Sequence, residues 1–115
     1  MNSANYAKEN DRVNDPDLPG RPQNIVDMVA FGRRLRALRI LAGYDRATEF
    51  TAVLRSQYGV DVSDRTVYAI ERGEQMAHID FYFAAICELE ADRDYFSPAI
   101  RADVVQKLAR RKGRE

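Results

Sequence analysis

The chain has 115 residues, of which 45% are hydrophobic and 31% charged, and its 18 basic and 18 acidic side chains give no net charge. This length predicts one globular domain, and no segment approaches the roughly 20 apolar residues of a membrane span or resembles the apolar core of a signal peptide. The single cysteine excludes an internal disulfide and fits a reducing compartment, so we expect a cytoplasmic protein without membrane contact.

The first 23 residues differ in composition from the rest. They are rich in Asn, Asp and Pro, and the segment Asn14–Pro22 cannot hold a helix, which predicts a flexible arm over residues 1–23. A neutral chain does not by itself indicate nucleic acid. However, basic residues cluster in one stretch (Arg33, Arg34, Arg36 and Arg39) and again in Arg101–Glu115. We therefore expect a moderate, salt-sensitive affinity for phosphate.

Hydrophobic periodicity predicts helices and no useful strand in the remainder. The first predicted helix spans Asn24–Ala42 and ends before Gly43. Asp45 is the expected N-cap of a second helix, which runs to about Tyr58. A third, very short helix begins after an N-cap at Ser63. It ends where Gly73 supplies a left-handed residue.

Two further helices complete the prediction. The fourth has an apolar face made of Ile79, Phe83, Ile86, Cys87 and Leu89. Ser97 and Pro98 read as the N-cap and first residue of the fifth. Its apolar positions are Ile100, Val104 and Leu108, and its end is expected to fray from Arg110. The predicted fold class is all-α, a bundle of five short helices.

Four segments in this order resemble the XRE (Cro and phage-repressor) helix-turn-helix family. They are Arg34–Gly43, Phe50–Leu54, Val62–Gly73 and Asp94–Phe96. The resemblance implies a lambda-repressor-like DNA-binding domain over residues 24–97, with an extra C-terminal helix over residues 98–112. It also implies that the helix at residues 63–72 reads the major groove of double-stranded DNA.

The connection before that helix departs from the family pattern. Members usually pass from the leucine that ends the second helix to the serine that caps the third in three residues, whereas here Leu54 and Ser63 lie nine apart. The insertion is similar to the extended motif of some actinobacterial members. The resemblance therefore leaves the tilt of the third helix open.

Two charged residues fall on faces that should be buried. Arg39 lies on the apolar face of the first helix, and Glu71 lies on that of the third. An unpaired buried charge is costly, so the two are expected to form an ion pair. The resemblance implies the same pair, because family members carry Arg and Glu at the matching positions.

The resemblance also implies a set of DNA contacts. Arg65 is the main expected base reader, because a guanidinium can bind guanine O6 and N7 together. Asp64 could accept from a cytosine amino group or could stabilise the helix dipole. Tyr68 could reach the DNA backbone or pack half-exposed. Glu74 and Ala77 stand where relatives often have Lys or Arg. The expected DNA-binding residues are Arg46, Ser63, Asp64, Arg65, Thr66, Tyr68, Ala69, Arg72 and Gln75.

The apolar stripe of the fifth predicted helix leaves two possibilities open. Ile100, Val104 and Leu108 could join two copies into a homodimer, which would set two third helices about one DNA turn apart, or they could fold back onto their own domain. The leading hypothesis is a dimeric, sequence-specific transcriptional regulator, with repression the expected output, in phage or host. The alternative is a protein-binding module such as an antitoxin or anti-repressor, which the acidic arm and neutral charge favour.

An enzyme is not expected. The chain has no P-loop, no dinucleotide fingerprint and no metal-ligand spacing. His78 is expected in a loop and Cys87 in the core, and neither has an evident catalytic partner. We therefore expect no cofactor and no metal.

Overall fold

The computed structural model describes residues 24–92 and 94–114, with side chains as far as Arg111. Over these ranges the fold is all-α with five α-helices, which confirms the predicted fold class. They are α1 Met28–Leu41, α2 Ala47–Tyr58, α3 Asp64–Glu71, α4 Ile79–Leu89 and α5 Ala102–Arg114, with a 3-10 turn at Ser97–Ala99. The predicted arm over residues 1–23 lies outside the described residues. None of the described helices has both the length and the apolar character that a membrane crossing needs.

The first helix begins later than the sequence predicted. Its N-cap is Asp27, whose Oδ1 accepts from the backbone amides of Val29 and Ala30, both at 3.1 Å. The residues before it are extended because Val26 forms an isolated antiparallel bridge with Ile100. In this bridge the amide of Arg101 donates to the carbonyl of Ile25 at 2.7 Å. A start at Asn24 was therefore wrong, since a distant segment takes these backbone groups.

The ends of α2 and α3 follow local rules, with one difference. Arg46 rather than Asp45 occupies the N-cap of α2, and its side chain makes no capping bond. Ser63 caps α3 as predicted, with its Oγ accepting from the amide of Thr66 at 3.1 Å. Gly73 follows α3 with φ 77°, a left-handed conformation that costs glycine little.

The core lies between the first four helices, where α3 packs against α1 and α2, and α4 packs against α2. Its largest fully buried apolar side chains are Leu35, Phe50, Leu54, Val67 and Ile70. Gly32 lies where α1 crosses the end of α3, and a Cβ at this position would overlap the carbonyl oxygens of Ile70 and Glu71. The two backbones can approach this closely only because residue 32 has no side chain.

The buried face of α4 matches the predicted one only in part: Leu89 is buried as predicted and Ile86 is half-buried. Phe81, Ala84, Ala85 and Leu89 are buried, whereas Ile79 is 70% exposed and Phe83 57% exposed. Cys87 is also exposed, so its expected place in the core was wrong. Nearly every position of this helix is apolar, so periodicity could not select a face. The two alanines form the buried face because small side chains allow close packing.

The fifth helix also begins later than predicted. Ser97 and Pro98 open only the 3-10 turn, and Ile100 is extended with φ −106° and ψ 141°. Ile100 therefore lies in the bridge rather than on a helical stripe with Val104 and Leu108, and the predicted three-residue stripe was wrong in that member. The helix runs from Ala102 to Arg114 instead of covering residues 98–112 and fraying from Arg110.

Candidate functional site

The C-terminal end of α3 is fixed by a buried ion pair. Arg39 Nε donates to Glu71 Oε2 at 2.7 Å, and Arg39 Nη2 donates to Oε1 at 3.0 Å. The remaining Arg39 nitrogen, Nη1, donates to the carbonyl of Tyr44 at 2.6 Å. The hydrogen bond to Glu71 raises the pKa of Arg39 above its ordinary value. The pair expected from the sequence is thus present, and it joins α1 to the last turn of α3.

The N-terminal end of α3 is fixed by Asp64. Its Oδ1 accepts from Thr51 Oγ1 at 2.7 Å and its Oδ2 accepts from Thr48 Oγ1 at 2.8 Å, so both carboxylate oxygens are bonded to α2. These hydroxyls hold the pKa of Asp64 below its usual range. A tether between helices was not among the roles considered for Asp64 from the sequence. The two threonines gave no signal because they are 13 and 16 residues away along the chain.

Tyr68 is half-buried and packs inside the domain. Its hydroxyl accepts from the backbone amide of Ala47, the first residue of α2, at 3.1 Å. The guanidinium of Arg39 lies 5.7 Å from the centre of its ring. Of the two possibilities left open by the sequence, these contacts favour the packing role. They also occupy the backbone amide of Ala47 at the start of α2, which is then unavailable to any other acceptor.

Two of the residues expected to contact DNA have charged side chains without an internal partner. Arg65, in the first turn of α3, and Arg46, before α2, are exposed and form no hydrogen bond or ion pair within the described part of the chain. By contrast, Ser63 Oγ donates to Thr66 Oγ1 at 3.0 Å, so these two hydroxyls are bonded to each other. Ala69 is half-buried on the next turn. The outer surface of α3 thus presents one free guanidinium.

Arg72 is less available than the sequence indicated. It forms a bidentate pair with Glu74, with Nε and Nη2 donating at 3.0 and 2.9 Å. The Glu74 hydrogen bond raises the pKa of Arg72, and the same contact lowers the pKa of Glu74. Both side chains are exposed, and exposed pairs exchange readily with other partners. Gln75, in the loop that follows, is exposed.

The basic cluster of α1 divides into two kinds of residue. Arg39 is buried, and Arg34 is held by Tyr95: Arg34 Nη1 donates to the Tyr95 carbonyl at 3.1 Å, while the Tyr95 hydroxyl donates to the Arg34 carbonyl at 2.7 Å. Arg33 and Arg36 remain exposed. Half of the cluster therefore maintains the fold and half is available to a ligand.

Among the described residues, no group of three or more His, Cys, Asp or Glu side chains is arranged to hold a metal ion. His78 is exposed at the N-cap of α4 and makes no capping bond with its side chain. Comparison of the chain with family models, curated proteins and solved structures gives no match.

Proposed function

We propose that the protein is a sequence-specific DNA-binding transcriptional regulator that places the first turns of α3 in the major groove. The observation that carries this proposal is the state of Arg65. The inner face of α3 is buried through Val67, Ile70 and Glu71, and the other polar groups of its first turn are bonded within the protein. Arg65 alone projects a free donor group from this turn.

The chemistry of the exposed groups matches base and phosphate recognition. Arg65 is the residue we assign to guanine, through paired bonds to O6 and N7. The Thr66 methyl group and Ala69 suit contact with a thymine methyl. Arg46 lies at the start of α2, where the helix dipole and the remaining amides favour a phosphate. Phosphate contacts would position the protein on the duplex, and the base contact of Arg65 would provide the sequence specificity.

The fold supports α3 as a rigid reading element. Asp64 holds its first residue to α2, and the Arg39–Glu71 pair holds its last turn to α1. A helix of 8 residues is too short to be stable alone. With both ends fixed, little conformational entropy remains to be lost on binding, which favours affinity.

We further propose that two copies act together, so that two α3 helices meet half-sites about one DNA turn apart. Repression of a phage or host gene is the output we expect. A cytoplasmic location follows, because that is where such a regulator meets DNA. We assign the chain no catalytic activity and no cofactor.

Enrichment of bound sequences from a random DNA pool tests the proposal, followed by variants at the two exposed arginines. Arg65→Ala should lose about 1–3 kcal/mol of binding free energy for the enriched DNA site, and its specificity should relax at one base pair. Arg46→Ala is the matched control, since it removes the same exposed group from a phosphate position. This variant should weaken binding to all DNA sequences alike, and it should reduce the slope of log affinity against log salt concentration by about 1. If no sequence is enriched even at low salt, the regulator proposal fails.

A second candidate function rests on a different observation. Ile79 and Phe83 expose large apolar side chains on one face of α4, which a protein partner could cover. A protein-binding module such as an antitoxin or anti-repressor would use this face and need no DNA. Failure of the DNA enrichment, together with capture of a defined protein that Phe83→Asp abolishes, would favour it.

A further inference from the structure

An apolar groove lies beside the Val26–Ile100 bridge. It has a volume of about 250 Å³, and its lining includes Val26, Met28, Met76, Ile79, Tyr82 and Ile100. Gln75 and the hydroxyl end of Tyr82 are the polar groups of this lining. Phe83 lies next to the groove: it follows Ile79 by one helical turn, and its ring centre is 5.5 Å from that of Tyr82. Met76 is 55% exposed as well, so three large apolar side chains lie open on this surface.

A second apolar surface lies on α5. Val104 and Val105 are half-buried and Leu108 is 51% exposed, and the hollow beside them is lined by residues of α5 alone. A helix of 13 residues is marginal in water unless an apolar face is covered. The described part of the chain thus carries two apolar surfaces, the groove and the α5 stripe, which share no lining residue.

Charge indicates which surfaces pair. The α4 sequence contains Asp80 and Glu88 and no basic residue, whereas α5 contains five basic residues and one acidic residue. The acidic residue of α5, Asp103, is already bonded to Arg101. Two α5 helices side by side would bring like charges together, which is unfavourable. An α5 helix laid along α4 instead brings its basic groups towards Asp80.

We propose that the groove binds a second copy of this chain, and that each α5 helix places Val104 and Leu108 in the groove of the other copy. The two contacts are equivalent in such a dimer, because each copy gives one helix and receives one. Val26 and Ile100 form the bridge and also line the groove, and α5 begins two residues after Ile100. The groove and α5 therefore lie on either side of the same bridge. This inference rests on the proposed function only in the use of two copies, and it can be measured without DNA.

The experiment measures the mass of the full chain by sedimentation equilibrium in the absence of DNA. We expect a dimer that Leu108→Asp and Phe83→Asp each weaken by about 30-fold or more, as for buried anchor residues. An equimolar mixture of the two variants should regain part of the dimer, because each mixed dimer has one contact between an unaltered α5 and an unaltered groove, while both substitutions fall in its other contact. Leu41→Asp is the matched control: Leu41 is 83% exposed on α1, outside both surfaces, and its dimer should persist.

Three results would overturn the proposal. One is a wild-type chain that stays monomeric at all concentrations. Another is loss of the dimer in Leu108→Asp but not in Phe83→Asp, with no recovery on mixing, which would indicate pairing between α5 helices. The third is equal loss in Leu41→Asp. Circular dichroism of each variant separates loss of the dimer from loss of the fold. Failure of DNA binding with a dimer intact would count against the proposed function alone.

Discussion

At the scale of single residues, the charged side chains of α3 are of two kinds: the two acids are bonded within the protein, and Arg65 is free to bind a ligand. Asp64 uses both carboxylate oxygens on Thr48 and Thr51, and Glu71 uses both of its oxygens on Arg39. Neither acid is then available to a ligand. Arg65 is left as the group that faces outwards with its full donor capacity, which is why we assign the reading role to it.

Asp64 should make stability depend on acid pH. Its pKa is lowered in the folded state by Thr51 and then Thr48, so its contribution to stability is present above the unfolded pKa of about 3.9 and is lost as pH falls through the folded value. Asp64→Asn should therefore be less stable than wild type at pH 7, and the two should converge in strong acid. Urea unfolding across this range measures the effect. The control is Asp61→Asn, which changes an exposed acid in the connection between α2 and α3. If the free energy of unfolding changed with pH in the same way for wild type and Asp64→Asn, the stabilising role of the Asp64–threonine hydrogen bonds would be contradicted.

The buried ion pair should be costly to break from one side. Glu71→Ala leaves the Arg39 guanidinium buried without its carboxylate, and we expect a loss of about 3–5 kcal/mol in the free energy of unfolding. Replacing both residues with apolar ones of similar volume should cost much less, since no charge is then buried alone. Chemical denaturation of the single and double variants provides the comparison. Native stability in Glu71→Ala would rule out this role.

At the scale of helices, the position of α3 depends on how closely α1 can approach it. Gly32 permits that approach because any Cβ would meet the backbone carbonyls of Ile70 and Glu71, which cannot rotate away. The helix-forming advantage of alanine over glycine, about 1 kcal/mol, is smaller than the strain expected here.

Gly32→Ala should therefore destabilise the domain, by about 1–3 kcal/mol, although the same change stabilises most helices. It should also weaken DNA binding, because α3 is displaced. Thermal unfolding and binding to the enriched site test the two effects. Ala37→Gly, at an exposed position of α1, isolates the propensity term and should cost about 1 kcal/mol. A Gly32→Ala protein as stable as wild type would show that the helices can separate freely.

Sequence reasoning succeeded at this scale where the signal is local. The Ser63 cap, the glycine after α3 and the charged residues on two apolar faces lie within a few residues of what they determine. It failed for the start of α1 and for Ile100, whose bridge joins opposite ends of the described chain. It also failed for α4, where too many apolar residues left the buried face undetermined. Asp64 shows the same limit, because its partners lie on another helix.

At the scale of the whole molecule, zero net charge conceals an uneven distribution. Part of the arginine content is structural, as Arg34 and Arg39 show, and Arg72 is compensated by Glu74. Arg33, Arg36, Arg46, Arg55 and Arg65 remain exposed on the bundle, and Lys107, Arg110 and Arg111 remain exposed on α5. With only Arg46 and Arg65 at the proposed interface, one copy would neutralise few phosphates, so we expect a shallow salt dependence of DNA binding. In the proposed dimer a second copy would double the number of contacts, so we expect dimer formation to raise the affinity for DNA.

The Val26–Ile100 bridge has one more consequence, for chain topology. It places the two ends of the part that contains α1 to α4 next to each other, with the amide nitrogen of Arg101 and the carbonyl oxygen of Ile25 only 2.7 Å apart. A bundle whose ends meet in this way can be inserted into a surface loop of an unrelated host protein without forcing the host's chain apart. Residues 25–101 would then form a transplantable module, folded by its own core and attached at a single point.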